Sequence, residues 1–557
     1  MKKFSWLLFF SVFLILALAS FFRFYNLTRA DVINDEVIIA FRSIGYIDFF
    51  SSPYQTTPWE WFSSVPAWAR LSFHDHPPLV FLIQHWFFEI FGQSIFVLRL
   101  PFVLVGIISV FLVYLIGKKL FNEKTGLIAS MLLAVLNYHV WISRTGLQES
   151  IVILLSLLTF YLFLRAQDSG RHWQWGITLG LAMITKYTSF VLAPIIVIYL
   201  LFFNRSIFKT KKIWLAFALA ALIFSPVIIY NLKLYQATGH FDLQFFYLFG
   251  QKVPEWEYLP GKIQAGNFTD RIFGLIPSLF QGLLWPMFVL FILSLFSAGR
   301  KLLKNKVRFF SEPQIILLIL AIFCHLALYL LIGPSKRFVV TVTPFIIILV
   351  AWFISRWPKI IKCILIPAIV ALEIFFTVNT LFTYYPVGQA GLTYSYLNVE
   401  SYNWGYNQLD DYLSKLLAGK KPAKTFQARY QFLEDIKNQA MAIAAKENKS
   451  PVAWLLIYDS DMYDLATFWL FHRRLVYNGW PIVTADDYLA KGKEFWPEQG
   501  LKDFYFIKII DGAILLRPVI EQTAKADELQ NQLKDLKPEI IKRPDGRPVF
   551  AIYHWQS

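Results

Sequence analysis

The chain has 557 residues, 57% hydrophobic and only 16% charged, with a mean hydropathy of +0.49, which excludes an ordinary soluble protein and describes a polytopic membrane protein. Its net charge of +16 does not point to nucleic acid, because Lys and Arg stand in short clusters between apolar runs, the pattern of membrane topology. Cys324 and Cys363 lie inside apolar runs without metal-ligand spacing, so neither a disulfide scaffold nor a zinc site is expected.

The run Phe4 to Phe22 follows Lys2 and Lys3, shows no clear small-residue cleavage site and is long enough to span, so it reads as a retained first helix. Pro77 to Phe91 is apolar and aromatic but 15 residues long, short of the about 20 that a crossing needs. Charge assigns it to the outer interface. With that segment uncounted, Lys2-Lys3, Lys118-Lys119, the Lys209, Lys211, Lys212 group and the cations from Arg300 to Arg308 share the side of the N-terminus, as the positive-inside rule requires. Further spans are expected at Val97 to Gly117, Thr125 to Ile142, Ile151 to Leu164, Trp173 to Thr185, Ser189 to Phe203, Ile213 to Asn231, Ile272 to Ala298, Gln314 to Gly333, Phe338 to Ile354 and Ile361 to Asn379, eleven with the first. Trp173 to Phe203 holds 31 residues, room for two thin crossings or one long tilted one.

This topology places the N-terminus in the cytoplasm of an integral, plasma-membrane protein. Three larger regions face outward: residues 23–96, the loop from Leu232 to Arg271, and the chain after about Leu381. From Ser395 the composition gains charge and strand-like runs at Val452 to Tyr458, Asp503 to Ile510 and Val549 to Trp555, with helical patterns at Met462 to Arg474 and Ala526 to Leu536. The expected fold class is mostly α, with a transmembrane domain over residues 1–380 and a soluble extracytoplasmic α/β domain over 395–557.

The first outer loop carries Asp35-Glu36. Consecutive helical residues point about 100° apart, so one acid can face a cavity while the other supports it. A carboxylate partly removed from water can act as general base toward a hydroxyl or amine; the plain alternative is a hydrated acid pair at a helix start. The same loop reads His74-Asp75-His76-Pro77-Pro78, where the prolines define a helix entry that would hold Asp75 and His76 at the membrane surface. No cofactor is identified, and a divalent metal at this His-Asp-His element stays open, since no further ligand stands at helical spacing.

Arg144 and Glu149 lie between two spans, at a depth where charges usually face a bundle interior or an aqueous cavity, although snorkelling and a solvated helix start are the alternatives. Lys186 and the pair Lys336-Arg337 sit in outward turns, against the positive-inside bias, which is compatible with a phosphate partner; each singly reads first as a solvated turn, and together they suggest a cationic ring beside acids. In the tail, Asp459-Ser460-Asp461 after a predicted strand is the pattern of a nucleotide-sugar metal site or, equally, of a helix N-cap.

The acid pair after the first span, HDHPPLVFLIQHWFFEIFGQSIFVLRLP, KKLFNEKTGLIASMLLAVLNYHVWISRTGLQES and MITKYTSFVLAP together resemble the membrane-embedded GT-C glycosyltransferases, best over Met1 to about Phe203. The nearest branches by resemblance are the dolichyl-phosphate-mannose protein mannosyltransferases and the bacterial aminoarabinose transferases. The resemblance implies inverting transfer of a sugar from a polyprenyl-phosphate carrier to a lipid, glycan or protein acceptor at the outer face, with membrane lipid as partner and no nucleic acid. It implies Asp35 as base or acceptor-binding carboxylate with Glu36 beside it, Asp75 and His76 lining the same cavity with Glu149 among the substrate-binding residues, and Arg144, Lys186, Lys336 and Arg337 as candidates for the carrier phosphate. In the aminoarabinose branch a Lys precedes the prolines. Here His76 stands there, so the resemblance carries no phosphate role to that position. The rival classes are a transporter or flippase without covalent chemistry, and a sensor or assembly protein; the chain shows no paired halves of the kind transporters often have.

Overall fold

The structure is a computed structural model that describes residues 6–47, 70–71, 76–251, 267–304, 312–428, 430–510 and 525–557. The chain divides into two compact units, residues 1–27 with 46–399, and residues 28–45 with 400–557.

In chain order the helices up to residue 381 are α1 (Trp6–Phe24), α2 (Glu36–Gly45), α3 (Leu79–Phe91), α4 (Ile95–Leu120), α5 (Glu123–Val135), α6 (Asn137–Ser143), α7 (Glu149–Ser169), α8 (Trp173–Met183), α9 (Leu192–Phe203), α10 (Lys211–Thr238), α11 (Leu243–Leu248), α12 (Phe268–Lys304), α13 (Pro313–Ile332), α14 (Lys336–Val339), α15 (Thr343–Ser355) and α16 (Lys359–Leu381). Among the described residues, eight helical segments are long and apolar enough to cross a membrane, nine if the bent pair α5 and α6 is one span. The expected eleven also counted Trp173 to Thr185 and Ser189 to Phe203, which hold the 11-residue α8 and the 17-residue helical stretch Tyr187–Phe203 that ends in α9. Pro77 to Phe91 forms the 13-residue α3.

Local chemistry starts the helices where the sequence changes character. Ser94 accepts the Val97 N–H at 3.2 Å to open α4, and Asn122 accepts the Thr125 N–H at 2.9 Å to open α5. Small residues then set the close crossings. A Cβ on Gly117 would stand 2.9 Å from the Gly126 Cα, so α4 and α5 meet backbone to backbone, and Gly176 lets α8 approach the Ala216 backbone of α10 in the same way.

Two breaks interrupt the bundle. α5 and α6 bend by 64° at Leu136, which frees carbonyls that lipid cannot satisfy. Arg23 of α1 donates to the Ala134 and Leu133 carbonyls at 3.0 and 3.4 Å, and Thr377 of α16 donates to the Val135 carbonyl at 2.7 Å. α12 kinks at Leu284, whose φ of 55° is rare for a side-chain-bearing residue, two positions before Pro286.

The second unit is built on a five-stranded sheet. Its strands are β3 (Trp454–Tyr458), β4 (Ile482–Thr484), β5 (Asp503–Ile509), β6 (Glu539–Lys542) and β7 (Pro548–Gln556), in the order β4-β3-β5-β7-β6, while β1 (Lys420–Pro422) and β2 (Ser450–Val452) pair separately. β3 runs parallel to β4 and β5, and β7 runs antiparallel to β5 and β6. Alternation divides the core in two. Leu456, Tyr505, Ile507 and Ile552 join one layer, and Leu455, Ile457, Phe504, Phe506 and Tyr553 the other. Ile33, from the first-loop segment 28–45, packs in the first layer with α17 (Tyr406–Leu416). That segment, read from the sequence as part of the transmembrane domain's outer loop, folds with the tail.

Candidate functional site

The acid pair begins α2. Asn34 Oδ1 accepts the Glu36 N–H at 2.9 Å and the Asn34 carbonyl accepts the Val37 N–H at 2.9 Å, so Asn34 caps the helix and puts both acids at its positive end. Their environments differ as the angular offset requires. Glu36 is fully buried and Asp35 partly exposed.

His74 and Asp75 lie outside the described residues. His76 is half-buried and leads through Pro77 and Pro78 into α3, whose first N–H, that of Leu79, donates to the Ile184 carbonyl at 3.1 Å, two residues before Lys186. The His-Pro-Pro entry is thereby tied to the end of α8.

Three of the sequence's candidates meet at one carboxylate. Glu149, first residue of α7, is fully buried; its Oε1 accepts Lys186 Nζ at 2.5 Å and Arg337 Nε at 2.8 Å. The Lys186 ammonium also stands 4.6 Å from the centre of the Phe338 ring, beside Arg337. Lys336 adjoins on α14, where Ser335 Oγ accepts the Arg337 N–H at 3.3 Å and fixes the turn. Two cations thus share one acid, leaving the cluster net positive. Glu149 Oε2, both side-chain polar atoms of Gln148, and the Thr188 and Ser189 hydroxyls are buried without a hydrogen-bond partner among the described residues. Buried polar groups are rarely left so, and their gathering beside a charged cluster marks a place for a polar ligand or water.

Next to Lys186, Tyr187 donates its hydroxyl to Asp242 Oδ2 at 2.7 Å, and Asn231 donates to the same oxygen at 3.1 Å. Asp242 Oδ1 accepts the Gln244 and Phe245 N–H groups at 3.0 and 2.9 Å, starting α11. Burial pushes the Asp242 carboxyl above its ordinary range, against the hydrogen bonds that hold its charge.

Arg144 is placed differently. Its guanidinium donates to the carbonyls of Phe22, Arg23, Tyr25 and Asn26 at 2.7–3.1 Å and lies 4.7 Å from the Phe382 ring centre. It closes the C-terminal end of α1, as a cation at that end of the dipole should. The Asp459-Ser460-Asp461 element is also internal structure. Asp459 accepts Lys508 Nζ at 2.8 Å and the N–H groups of Asp461 and Ile509 at 3.0 and 3.2 Å. Among the described residues no group of three or more His, Cys, Asp or Glu side chains could hold a metal.

Sequence reasoning missed Gln148, Thr188 and Ser189, polar residues beside the charged candidates, and Asp242, which adjoins none of them in the sequence. It also missed Glu373, a lone acid in the apolar run of α16, fully buried with both oxygens unpartnered among the described residues.

Over residues 75–230 the chain matches the family model described as Dolichyl-phosphate-mannose-protein mannosyltransferase, a stretch that holds Arg144, Glu149 and Lys186. It is 29% identical over 228 residues to YycA and 27% identical over 218 residues to YkcB, Bacillus subtilis (strain 168) proteins each described as a "putative mannosyltransferase". These matches cover 40% and 38% of this chain, and 30% and 28% of those relatives' lengths. The crystal structure of ArnT from Cupriavidus metallidurans bound to undecaprenyl phosphate superimposes with a TM-score of 0.53 at 12% identity, covering 97% of both chains. The resemblance read from the motifs is borne out: this integral membrane chain has the GT-C glycosyltransferase fold and, over residues 75–230, the sequence pattern of the dolichyl-phosphate-mannose-protein mannosyltransferase family.

Proposed function

We propose that the protein transfers a sugar from a polyprenyl-phosphate carrier to a lipid, glycan or protein acceptor at the outer face of the plasma membrane, by a single inverting displacement. The observation that carries this reading is the net-positive cluster of Lys186 and the partly exposed Arg337 on one oxygen of the buried Glu149, at the ends of three helical segments. A sugar phosphodiester carries one negative charge. When the bond between the anomeric carbon and the phosphate oxygen breaks, the carrier phosphate leaves with a second, and fixed cations stabilise that growing charge without an acid. Lys186, Arg337 and the adjoining Lys336 fill this role. Arg144 holds the end of α1.

The acceptor oxygen or nitrogen forms the new bond to the anomeric carbon from the opposite face, and its proton passes to a carboxylate. Asp35 is the base in this reading, being the accessible acid of the pair, with the buried Glu36 beside it. In this reading His76 lines the same cavity. The undecaprenyl phosphate in the similarly folded ArnT structure supports the carrier class.

The test is transfer of radiolabelled sugar from a panel of polyprenyl-phosphate sugars in membranes containing wild-type protein, Asp35→Asn or Lys186→Ala. Wild-type transfer that collapses in Asp35→Asn while donor binding persists, and that loses donor affinity in Lys186→Ala, supports the reading. Movement of labelled lipid across the membrane without any new covalent product sinks it.

A further inference from the structure

We propose that the tail unit is the positioning element of the acid pair, acting through a clamp formed by Asp31 and Asn407 on one side and Tyr477 on the other. The inference rests on the reading of Asp35 as base and assigns the tail a task in that chemistry.

Asp31 lies four residues before Asp35 and is completely buried. Its Oδ1 accepts the Asn407 N–H at 2.9 Å, and its Oδ2 accepts the N–H groups of Trp404 and Tyr406 at 2.5 and 3.4 Å. A first-loop carboxylate thus caps α17 of the tail, whose own Gly405, at φ +106°, offers no side chain for the purpose. The exchange is reciprocal. Asn407 Nδ2 donates to the Thr28 and Ala30 carbonyls at 2.8 and 2.9 Å, Asn403 Nδ2 donates to the Arg29 carbonyl at 2.9 Å, and the Asp31 N–H donates to the Tyr402 carbonyl at 3.0 Å.

The far side of the acid pair is held as firmly. Tyr477 donates its hydroxyl to the Phe41 carbonyl at 2.7 Å, and the Phe41 ring packs against Phe468 and Tyr477 at 5.6 and 5.4 Å between centres. A Cβ on Gly45 would come within 2.5 Å of the Tyr477 ring. The acid pair therefore stands between two tail-borne anchors. Displacing a catalytic group by about 1 Å costs roughly 100-fold in rate, so the clamp bears on turnover rather than on donor capture.

The experiment compares full-length wild type, Asp31→Asn, Tyr477→Phe, Tyr477→Ala, Asp35→Asn and the surface control Glu528→Gln, measuring kcat, donor KM, the pH profile of kcat, and amide exchange over residues 32–45 in purified protein. The clamp predicts that Asp31→Asn and Tyr477→Phe lower kcat about 10- to 100-fold with donor KM within about twofold of wild type. It predicts an unshifted pH profile, faster exchange over residues 32–45, a larger fall in Tyr477→Ala than in Tyr477→Phe, and no change in Glu528→Gln. Loss of transfer in Asp35→Asn with wild-type kcat and exchange in Asp31→Asn and Tyr477→Phe overturns the clamp alone. Full transfer by Asp35→Asn overturns the acid-pair reading and the clamp with it.

Discussion

Thr377 on α16 donates its hydroxyl to the carbonyl of Val135 on α5 across 2.7 Å, at the residue where α5 ends and the chain turns by 64° into α6. A carbonyl exposed by a break within a bundle has no water to turn to, so this bond supports the bend together with those from Arg23 to the Leu133 and Ala134 carbonyls. Thr377→Val keeps the shape and removes the donor. It is expected to destabilise the protein by about 1 kcal/mol, the lower end of the cost of an unpaired buried polar group, read as a lower midpoint of thermal unfolding in detergent.

Glu149→Gln keeps the volume of the side chain and removes the charge that Lys186 and Arg337 share. The cluster becomes more positive, so polyprenyl phosphate, the product of the proposed reaction, is expected to inhibit at lower concentration while kcat falls through slower release. Lys186→Ala should act in the opposite sense on affinity. Equal inhibition constants in wild type and Glu149→Gln would remove the carrier phosphate from this cluster.

Arg144→Lys is expected to weaken the end of α1, because one ammonium cannot reproduce a planar fork that meets four carbonyls. Donor KM should stay at the wild-type value and the folded fraction should fall. A raised donor KM with unchanged stability would return Arg144 to the carrier phosphate.

In the tail, burial lowers the His472 imidazole to about 4 from its ordinary 6.5. The neutral form is the one the fold accepts, so protonation favours unfolding. Stability is full above about 6.5 and declines as the pH falls toward 4, by roughly 3 kcal/mol at most. Asp410, ion-paired with Arg473 at 2.5 Å and Arg474 at 2.7 Å, has a carboxyl held below its ordinary range by those guanidiniums, and its contribution is lost only at still lower pH. Protection of the amides over residues 468–477, taken relative to the intrinsic exchange rate at each pH, should therefore fall between pH 7 and 4.5 in wild type and change less in His472→Gln.

The architecture was legible where it depends on local pattern. Ser94 and Asn122 start α4 and α5 just ahead of the expected spans, and the alternation of Trp454, Leu456 and Tyr458 with Leu455 and Ile457 is the alternation of the two core layers. What escaped the sequence depends on partners far along the chain. Lys186 and Arg337 each read as a weak outward cation, and only the fold brings both to the same oxygen of Glu149. Arg144 offered no sign that its partners would be main-chain carbonyls of α1, since carbonyls carry no sequence signal. Residues 28–45 follow a span directly, yet their hydrogen-bond partners begin near residue 402, and hydrophobic periodicity over ten or so residues cannot report such pairing.

The cap that Asp31 places on α17 joins residues 376 positions apart. At about 5–20 residues per second of synthesis, the ribosome needs on the order of half a minute after making Asp31 before Asn407 exists to receive it. The Tyr477 anchor comes later still. Every nascent chain therefore spends most of its synthesis with the acid pair made but its tail-borne partners still to come, and on the proposed clamp becomes competent only when its last third has been delivered.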